Sequence, residues 1–414
     1  MKLQQPQYDI IIIGAGPAGA ACAIKLGNSG LKVAVVDKAV FPRDKTCGDA
    51  LSVDVVNQLE MLSSSLAVQF EKLSSKVPSY GVRIVAPDHR HIDIPFFNKG
   101  EKRCGYICKR IDFDNLLVKE MRSFSNIHLI EGQQVNNINI DKTGVTVFCK
   151  DKDITSYMLI GADGANSMVR NFLSKMEIAR KHHSAGLRVY YKGVNNFQQE
   201  NYIELHFFKE ALPGYLWIFP LPNGEANVGI GILSSIVSKK KINLKELLNR
   251  LIITEPSLAS RFKNASAIET VKGFGLPLGS VKRNISGERF LLLGDAAGLI
   301  DPFSGEGIAN AIRSGRVAAE HLIDSFNKQD FSASFNKAYD KEIYNRMWKE
   351  FKISRSLQNL CKYPRLFNWV VNKAGKSKYL NQLLIDSLAN ADVKSILTKA
   401  PFYFRLLFKK DSSK

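Results

Sequence analysis

The sequence predicts an α/β protein in which a doubly wound, mainly parallel sheet is interrupted by an antiparallel sheet and followed by a helical C-terminal region. Three observations carry this. The apolar run Tyr8-Asp9-Ile10-Ile11-Ile12-Ile13 is short enough for a buried parallel strand and leads directly into Gly14-Ala15-Gly16-Pro17-Ala18-Gly19, which opens an Ala-rich helical segment. A second glycine segment, Gly294-Asp295-Ala296-Ala297-Gly298, follows another buried-strand pattern, Arg289-Phe290-Leu291-Leu292-Leu293, about 280 residues later. Between about Ala185 and Val271 the pattern turns to strands rich in aromatic and β-branched residues, broken by a helix-like stretch from Leu244 to Ile253.

The first glycine segment has the context that gives such a motif meaning. Gly14 permits the tight turn, Gly16 lets the backbone approach a pyrophosphate, and Gly19 lets helix and strand pack closely. Amides at the helix N-terminus, where Pro17 and Ala18 sit, then face the phosphates. A second strand, Lys32-Val33-Ala34-Val35-Val36, ends in Asp37 with Lys38 beside it, about twenty residues past the glycines, where a carboxylate accepts hydrogen bonds from a ribose. A glycine-rich turn without a ligand is the other reading.

Composition sets the outer bounds. At 414 residues the chain exceeds one ordinary core, so a large domain with a second one inserted is expected. Its 45% apolar and 23% charged content is that of a globular protein. There is no run of about eighteen apolar residues to span a bilayer. The N-terminus superficially resembles a signal peptide, but Asp9 and the glycines claim it for the fold, and a cytoplasmic location is expected. Cys22, Cys47, Cys104, Cys108, Cys149 and Cys361 are read as reduced thiols; Cys104 and Cys108 lack a second ligand pair, so no metal site is assigned.

The net charge of +19 concentrates in Lys239-Lys240-Lys241 and in Arg405 to Lys414, beside Phe402, Tyr403, Phe404 and Phe408. No nucleic-acid motif accompanies it, so nucleic acid is not expected as a partner. Peripheral contact with an anionic membrane at the inner face fits better, with simple solubility as the alternative.

The blocks order themselves along the chain. Phe41 to Asp49 reads as a loop, Val82 to Ile94 as strand, and Cys108 to Asp114 as the entry to a helix carrying Leu116, Leu117 and Met121. Strands resume around Ile127 to Ile130 and Val145 to Phe148 and lead into Met158 to Ser167. A helix is expected from about Gly305 to Ser325, and mostly helix from there to Lys414. The expected division is a discontinuous cofactor domain over 1–75, 106–180 and 276–325, a substrate-binding sheet over 76–105 and 181–275, and a helical region over 326–414.

With the phosphate-binding glycines, Asp163-Gly164, and Gly294-Asp295 continuing into Pro302-Phe303-Ser304-Gly305-Glu306-Gly307-Ile308 in this order, the chain resembles the p-hydroxybenzoate hydroxylase-like flavoproteins. Within them it is similar to the geranylgeranyl reductase family. Pro42-Arg43-Asp44-Lys45-Thr46-Cys47-Gly48 matches that family's Pro-Arg-x-Lys-x-Cys-Gly element, and Tyr215-Leu216-Trp217-Ile218-Phe219-Pro220 its Tyr-x-Trp-x-Phe-Pro element. Leu221 departs from it, standing where a basic residue often follows the proline. The resemblance covers the chain to about residue 325 and is thin beyond.

It implies a Rossmann-like FAD-binding domain of the glutathione-reductase type. Implied FAD contacts are the glycine segment, Asp37 and Lys38, Arg43, Cys47 and Gly48, Arg110 near the pyrophosphate, Asp163, Gly294, Asp295 on the ribityl hydroxyls, and Pro302, Gly305, Gly307 and Ile308. For Arg110 a surface salt bridge, and for Asp163 a turn or helix cap, are the plain alternatives. Tyr215, Trp217, Phe219 and Pro220 are implied substrate contacts; alternate positions share one face, which equally suits core filling. With no second glycine fingerprint, reduction by NAD(P)H or by a protein electron donor stays open.

The implied activity is hydride delivery from reduced flavin to a carbon–carbon double bond of an isoprenoid. Cys47, Tyr215 or a water is the candidate proton donor; for Cys47 a small buried hydrophobe is the other reading. A flavin-dependent monooxygenase or halogenase on the same fold is the main rival, although the halogenase Trp-x-Trp-x-Ile pattern is missing. A non-catalytic prenyl carrier of related fold is the third class, disfavoured by the intact glycines, Asp37 and Asp295. Oligomeric state is not legible.

Overall fold

The computed structural model describes residues 5–98 and 101–376, so Arg405 to Lys414 and their aromatic neighbours lie outside the described residues. The first strand is Tyr8–Ile13, the Ala-rich helix Pro17–Leu26, and the second strand Val33–Val36, with every residue from Ile10 to Ile13 and Val33 to Val36 buried. Apolar side chains on both faces of these strands leave them nowhere but the middle of a covered parallel sheet. Ile127–Ile130, Val33–Val36, Tyr8–Ile13 and Asp153–Gly161 lie side by side, all parallel. Asp153–Gly161 is long enough to be shared: its first half pairs antiparallel with Val145–Cys149, and its second half pairs parallel with Phe290–Leu292.

That last pairing brings the distant glycine segment beside the first one. Phe290–Leu292 reaches the end of the sheet carrying Gly14, and Gly294–Ala297 turns off it as a short 3-10 helix. The helix Ile308–Lys328 then packs on Pro17–Leu26 so closely that a Cβ on Gly315 would stand 2.4 Å from the Ala18 carbonyl oxygen. It begins later than the glycine pattern suggests, because Gly305 sits at φ +71 and Asp301 Oδ1 ties the preceding turn by accepting from the amides of Phe303 and Ser304.

The second large sheet runs His183–Lys192, Glu225–Leu233, Tyr215–Pro220, Ile203–His206, Gly81–Val85, His91–Pro95, with Lys272–Pro277 on the outer side of His183–Lys192. It is antiparallel except where Ile203–His206 runs parallel to Gly81–Val85. The stretch from Val82 to Ile94 is a hairpin, not one strand: its alternation of polar and apolar residues continues through a turn at Ala86–Arg90, where His89 takes φ +66.

The pleat sorts side chains to two sides. Leu216, Ile218, Val228 and Ile230 pack against the helices Leu244–Thr254 and Pro256–Phe262. Trp217, Phe219, Leu205 and Phe207 face the other way, toward the parallel-sheet domain and the helix Pro364–Lys376, which contributes Phe367, Val371 and Ala374. A three-stranded sheet of Ala50–Leu51, Gly105–Cys108 and Lys76–Ser79 anchors the end of the Phe41–Asp49 loop.

Candidate active site

One cavity of about 790 Å³ lies where the two large sheets meet, lined at one end by Gly14 and Gly16 and at the other by Tyr215, Trp217 and Phe219. Its first end is made of backbone. Gly14 adopts φ +101, and a Cβ there would stand 2.4 Å from the Ala162 carbonyl oxygen. At Gly16 the nearest heavy atom to a Cβ would be Arg43 Nη2 at 3.7 Å, so the missing side chain leaves open space above the helix N-terminus. The amides of the first turn have no carbonyl partners within the helix, which suits an anion. Gly19 is behind the wall, where a Cβ would stand 1.9 Å from the Gly14 carbonyl oxygen: it lets the helix lie on the loop.

Asp37 lines the cavity with Lys38 and serves the loop as well: Oδ2 accepts from the Ala15 amide at 2.8 Å and Oδ1 from the Ala39 amide at 2.9 Å. A carboxylate has about four acceptor positions, so capacity for a ribose hydroxyl remains.

Two arginines line the same end. Arg43 Nη1 donates to Asp114 Oδ2 at 2.7 Å, and Arg110 donates from Nε and Nη2 to both oxygens of that carboxylate, each at 2.7 Å. Asp114 is wholly buried and Arg110 nearly so. The surface salt bridge considered for Arg110 is therefore corrected to a buried one. One carboxylate between two guanidiniums leaves a net positive charge beside the cavity, matching a pyrophosphate.

Asp163 and Asp295, each just past a strand end, after Asp153–Gly161 and Phe290–Leu292, also line the cavity. Asp163 Oδ2 accepts from the amides of Met168 at 2.6 Å and Val169 at 3.3 Å, so it does cap a turn while lining the cavity. Burial raises the Asp295 carboxyl, with the charges of Lys45, Arg110 and Arg170 opposing. Gly305, Gly307 and Ile308 also line the cavity; a Cβ on Gly307 would lie 3.3 Å from Asp295 Oδ1. Gly164, at φ +80, has nothing within 4 Å of a Cβ. Gly294, at φ +52, is packed between Ala18 and Ala311 instead of facing the cavity, and buried Pro302 gives its carbonyl to Gln358.

The sheet wall brings side chains. The Tyr215 hydroxyl donates to the Ser304 carbonyl, and burial pushes that phenol well up, so its proton is both held and hard to release. Trp217 Nε1 donates to Asn227 Oδ1 at 2.8 Å. Cys47 and Gly48 lie against this wall: a Cβ on Gly48 would be 3.1 Å from the Phe219 ring. Pro220 is buried at the strand end and does not line the cavity. Asp114, Asn227 and Asp49 are functional candidates that the sequence reading missed. Asp114 left a local signal, four residues after Arg110 on one helix face, and Asn227 lies in the stretch Ala226 to Gly231 that continues the family-like strand element, without a role having been read for it.

Open space over glycine amides, a paired-arginine cradle and a carboxylate at the end of a central strand fit an FAD, with its pyrophosphate at the glycine end. The family model described as FAD binding domain matches residues 7–351. The chain belongs to this FAD-binding family and is an FAD-dependent oxidoreductase. Among characterised relatives it is 27% identical to a menaquinone reductase of Mycolicibacterium smegmatis, over 92% of this chain and 91% of that protein. It is 28% identical to a digeranylgeranylglycerophospholipid reductase of Thermoplasma acidophilum, over 94% and 93%. A crystal structure of a geranylgeranyl bacteriochlorophyll reductase-like protein from Thermoplasma acidophilum superposes with TM-score 0.77 at 23% identity, covering 95% of this chain and 99% of that one. A flavin-dependent brominase shares the fold nearly as well, with TM-score 0.75 at 22% identity over 96% and 97%.

Proposed function

We propose that this protein saturates carbon–carbon double bonds of an isoprenoid chain, in a prenyl lipid or a prenylated quinone. The observation that carries the reading is the continuity of the cavity: the glycine and arginine end that suits FAD opens without interruption onto the wall of Tyr215, Trp217, Phe219 and Leu205. That wall offers an apolar chain contact area and little to polarise, which suits an alkene better than a carbonyl substrate. Two relatives that match nearly end to end are named for a menaquinone and for a digeranylgeranyl phospholipid, and both carry prenyl chains.

In this reading bound FAD, once reduced, supplies the hydride. The chain's own residues do the rest. The amides after Gly16, with Arg43 and Arg110, would hold the pyrophosphate; Asp37 would take the adenosine ribose and Asp295 the ribityl chain; Gly305 and Gly307 would admit the ring close to the backbone. Trp217 and Phe219 align the prenyl chain and exclude water. NAD(P)H or a protein donor supplies the electrons. Delivery of the lipid from an anionic membrane surface is supported by exposed Tyr363 and Leu366 on and beside the helix Pro364–Lys376, with Lys362 and Arg365 next to them.

The test is anaerobic incubation of dithionite-reduced holoprotein with geranylgeranyl phospholipids and menaquinones, followed by mass spectrometry. A gain of two hydrogens per saturated bond is expected. Lipid recovered unchanged from every substrate, or a product that gains oxygen or halogen when air and halide are admitted, would refute it.

A further inference from the structure

Reducing an unactivated alkene needs a proton as well as a hydride, and this cavity holds a buried acid at its sheet end. Asp49 lines the cavity, is wholly buried, and ends the loop that contributes Cys47 and Gly48. It holds φ +65, a conformation that a non-glycine residue adopts only when its surroundings impose it. What imposes it is a set of hydrogen bonds reaching from the second sheet. Oδ2 accepts from the Tyr190 hydroxyl at 2.6 Å and from Asn227 Nδ2 at 2.8 Å, and Asn227 Nδ2 also donates to the Cys47 carbonyl at 2.8 Å. The main-chain carbonyl of Asp49 accepts from the Cys108 amide at 2.9 Å. The other carboxyl oxygen, Oδ1, has no partner among the described residues.

That asymmetry has a chemical meaning. A buried carboxylate would leave Oδ1 with unmet acceptor capacity, whereas a protonated Asp49 keeps both bonds at Oδ2 and carries its hydrogen on Oδ1 with no internal acceptor. Burial pushes the carboxyl up to about 6, against the opposing pull of Tyr190, Asn227, Arg188 and Arg110. The charged and titratable groups around it are Arg188 and Tyr190 on His183–Lys192, Arg110 and Lys109 at the start of the helix Arg110–Arg122, Cys108 on the small sheet, and Cys47 in its own loop. Arg188 is fully buried, with its guanidinium 3.9 Å from the centre of the Tyr190 ring. Of the two donors suggested by sequence, Tyr215 already gives its hydrogen to Ser304, while Cys47 joins this network through its carbonyl and turns its thiol toward Arg110.

We propose that Asp49 is the acid of the reduction, transferring its Oδ1 hydrogen to the alkene carbon that does not receive the hydride. The proposal rests on the prenyl-reductase reading. In the step, the π bond, the hydride-donating bond of the reduced flavin and the Asp49 O–H bond break, and two C–H bonds form on adjacent carbons. The alkene is reduced by two electrons taken from the reduced flavin, and Asp49 is left as a carboxylate to be reprotonated from water. Tyr190 and Asn227 are positioning residues that stabilise that carboxylate.

The experiment uses full-length holoprotein for turnover and the flavin-free protein for a direct titration. Trp217 reports on the network because its indole nitrogen donates to the same Asn227 that donates to Asp49. Wild-type tryptophan emission is expected to change in one step near pH 6, with Trp217→Phe losing the step and so assigning it. Asp49→Asn, which can keep both acceptor contacts, should lose the step, hold FAD as wild type does, and turn over about 100-fold more slowly or worse, with no pH dependence in this range. Wild-type turnover should fall as pH rises through the same midpoint. Tyr190→Phe removes a donor that favours the carboxylate, so it should move both the emission step and the turnover limb to higher pH. Asp49→Asn with wild-type rates, or a Tyr190→Phe limb that does not move, would overturn the assignment even if lipid reduction is confirmed. A wild type that titrates as expected but saturates no alkene would overturn the function reading and this proposal with it.

Discussion

The two ends of the cavity are built from different materials. At the glycine end the ligand-facing groups are backbone amides, placed by residues whose essential property is a missing side chain, and by two arginines clamped on one buried aspartate. At the sheet end the lining is side chain: an aromatic row on alternate positions of one strand, with Trp217 of that row joined to a polar network of Asn227, Asp49 and Tyr190. The difference teaches where tolerance to change should lie. A backbone cradle fails when something is added to it, whereas a side-chain wall fails when something is removed.

The largest effect should come from adding. Gly16 has φ −70, which any residue can adopt, and a Cβ there would make only an ordinary contact with Arg43 Nη2 at 3.7 Å. Gly16→Val should therefore keep the fold yet fill the cradle and weaken FAD retention by about 100-fold or more, ~2.7 kcal/mol. Equilibrium flavin binding beside a thermal melt of the flavin-free protein checks this; wild-type affinity would show that phosphates lie elsewhere.

Next comes the arginine clamp. Asp114→Ala leaves Arg110 buried without its carboxylate, and breaking such a pair costs about 3–5 kcal/mol. Because a pyrophosphate would give the arginines a new anionic partner, the loss in thermal stability should be clearly smaller with FAD bound than without it. Equal losses in the two states would detach the clamp from the cofactor.

Trp217→Ala should have the smallest effect on the cofactor and a selective one on lipid: normal flavin content, with kcat/KM lowered about tenfold, ~1.4 kcal/mol. Loss of flavin in this variant would merge the two ends into one unit. Unchanged turnover would return the strand to plain core packing.

The same contrast explains what could be read from the chain. The glycine end was legible because its signals are local: an apolar run, three glycines at fixed spacing and a carboxylate at the next strand end all fall within residues 8–37. The aromatic row was legible for the same reason, since a period of two is written along six residues. The Asp49 network was not, because Asn227 lies 178 positions and Tyr190 lies 141 positions from Asp49, and nothing near any of the three announces the others. The Val82 to Ile94 segment misled by continuity: two strands share one alternation, and only Pro87 and the left-handed His89 between them mark the turn. Gly294 and Pro302 were placed in the right segment but not on its exposed side, since a motif fixes which stretch approaches the ligand and packing fixes which of its residues face it.

The central claim is that one continuous cavity lets a prenyl chain reach the flavin. The direct measurement is rapid mixing of fully reduced holoprotein with a prenyl lipid under strict exclusion of oxygen, following flavin absorbance. The account predicts that the yellow colour returns at a rate that saturates with lipid and is slowed in Trp217→Ala. A flavin that stays bleached with every prenyl lipid, and recovers its colour only when oxygen is admitted, would contradict it.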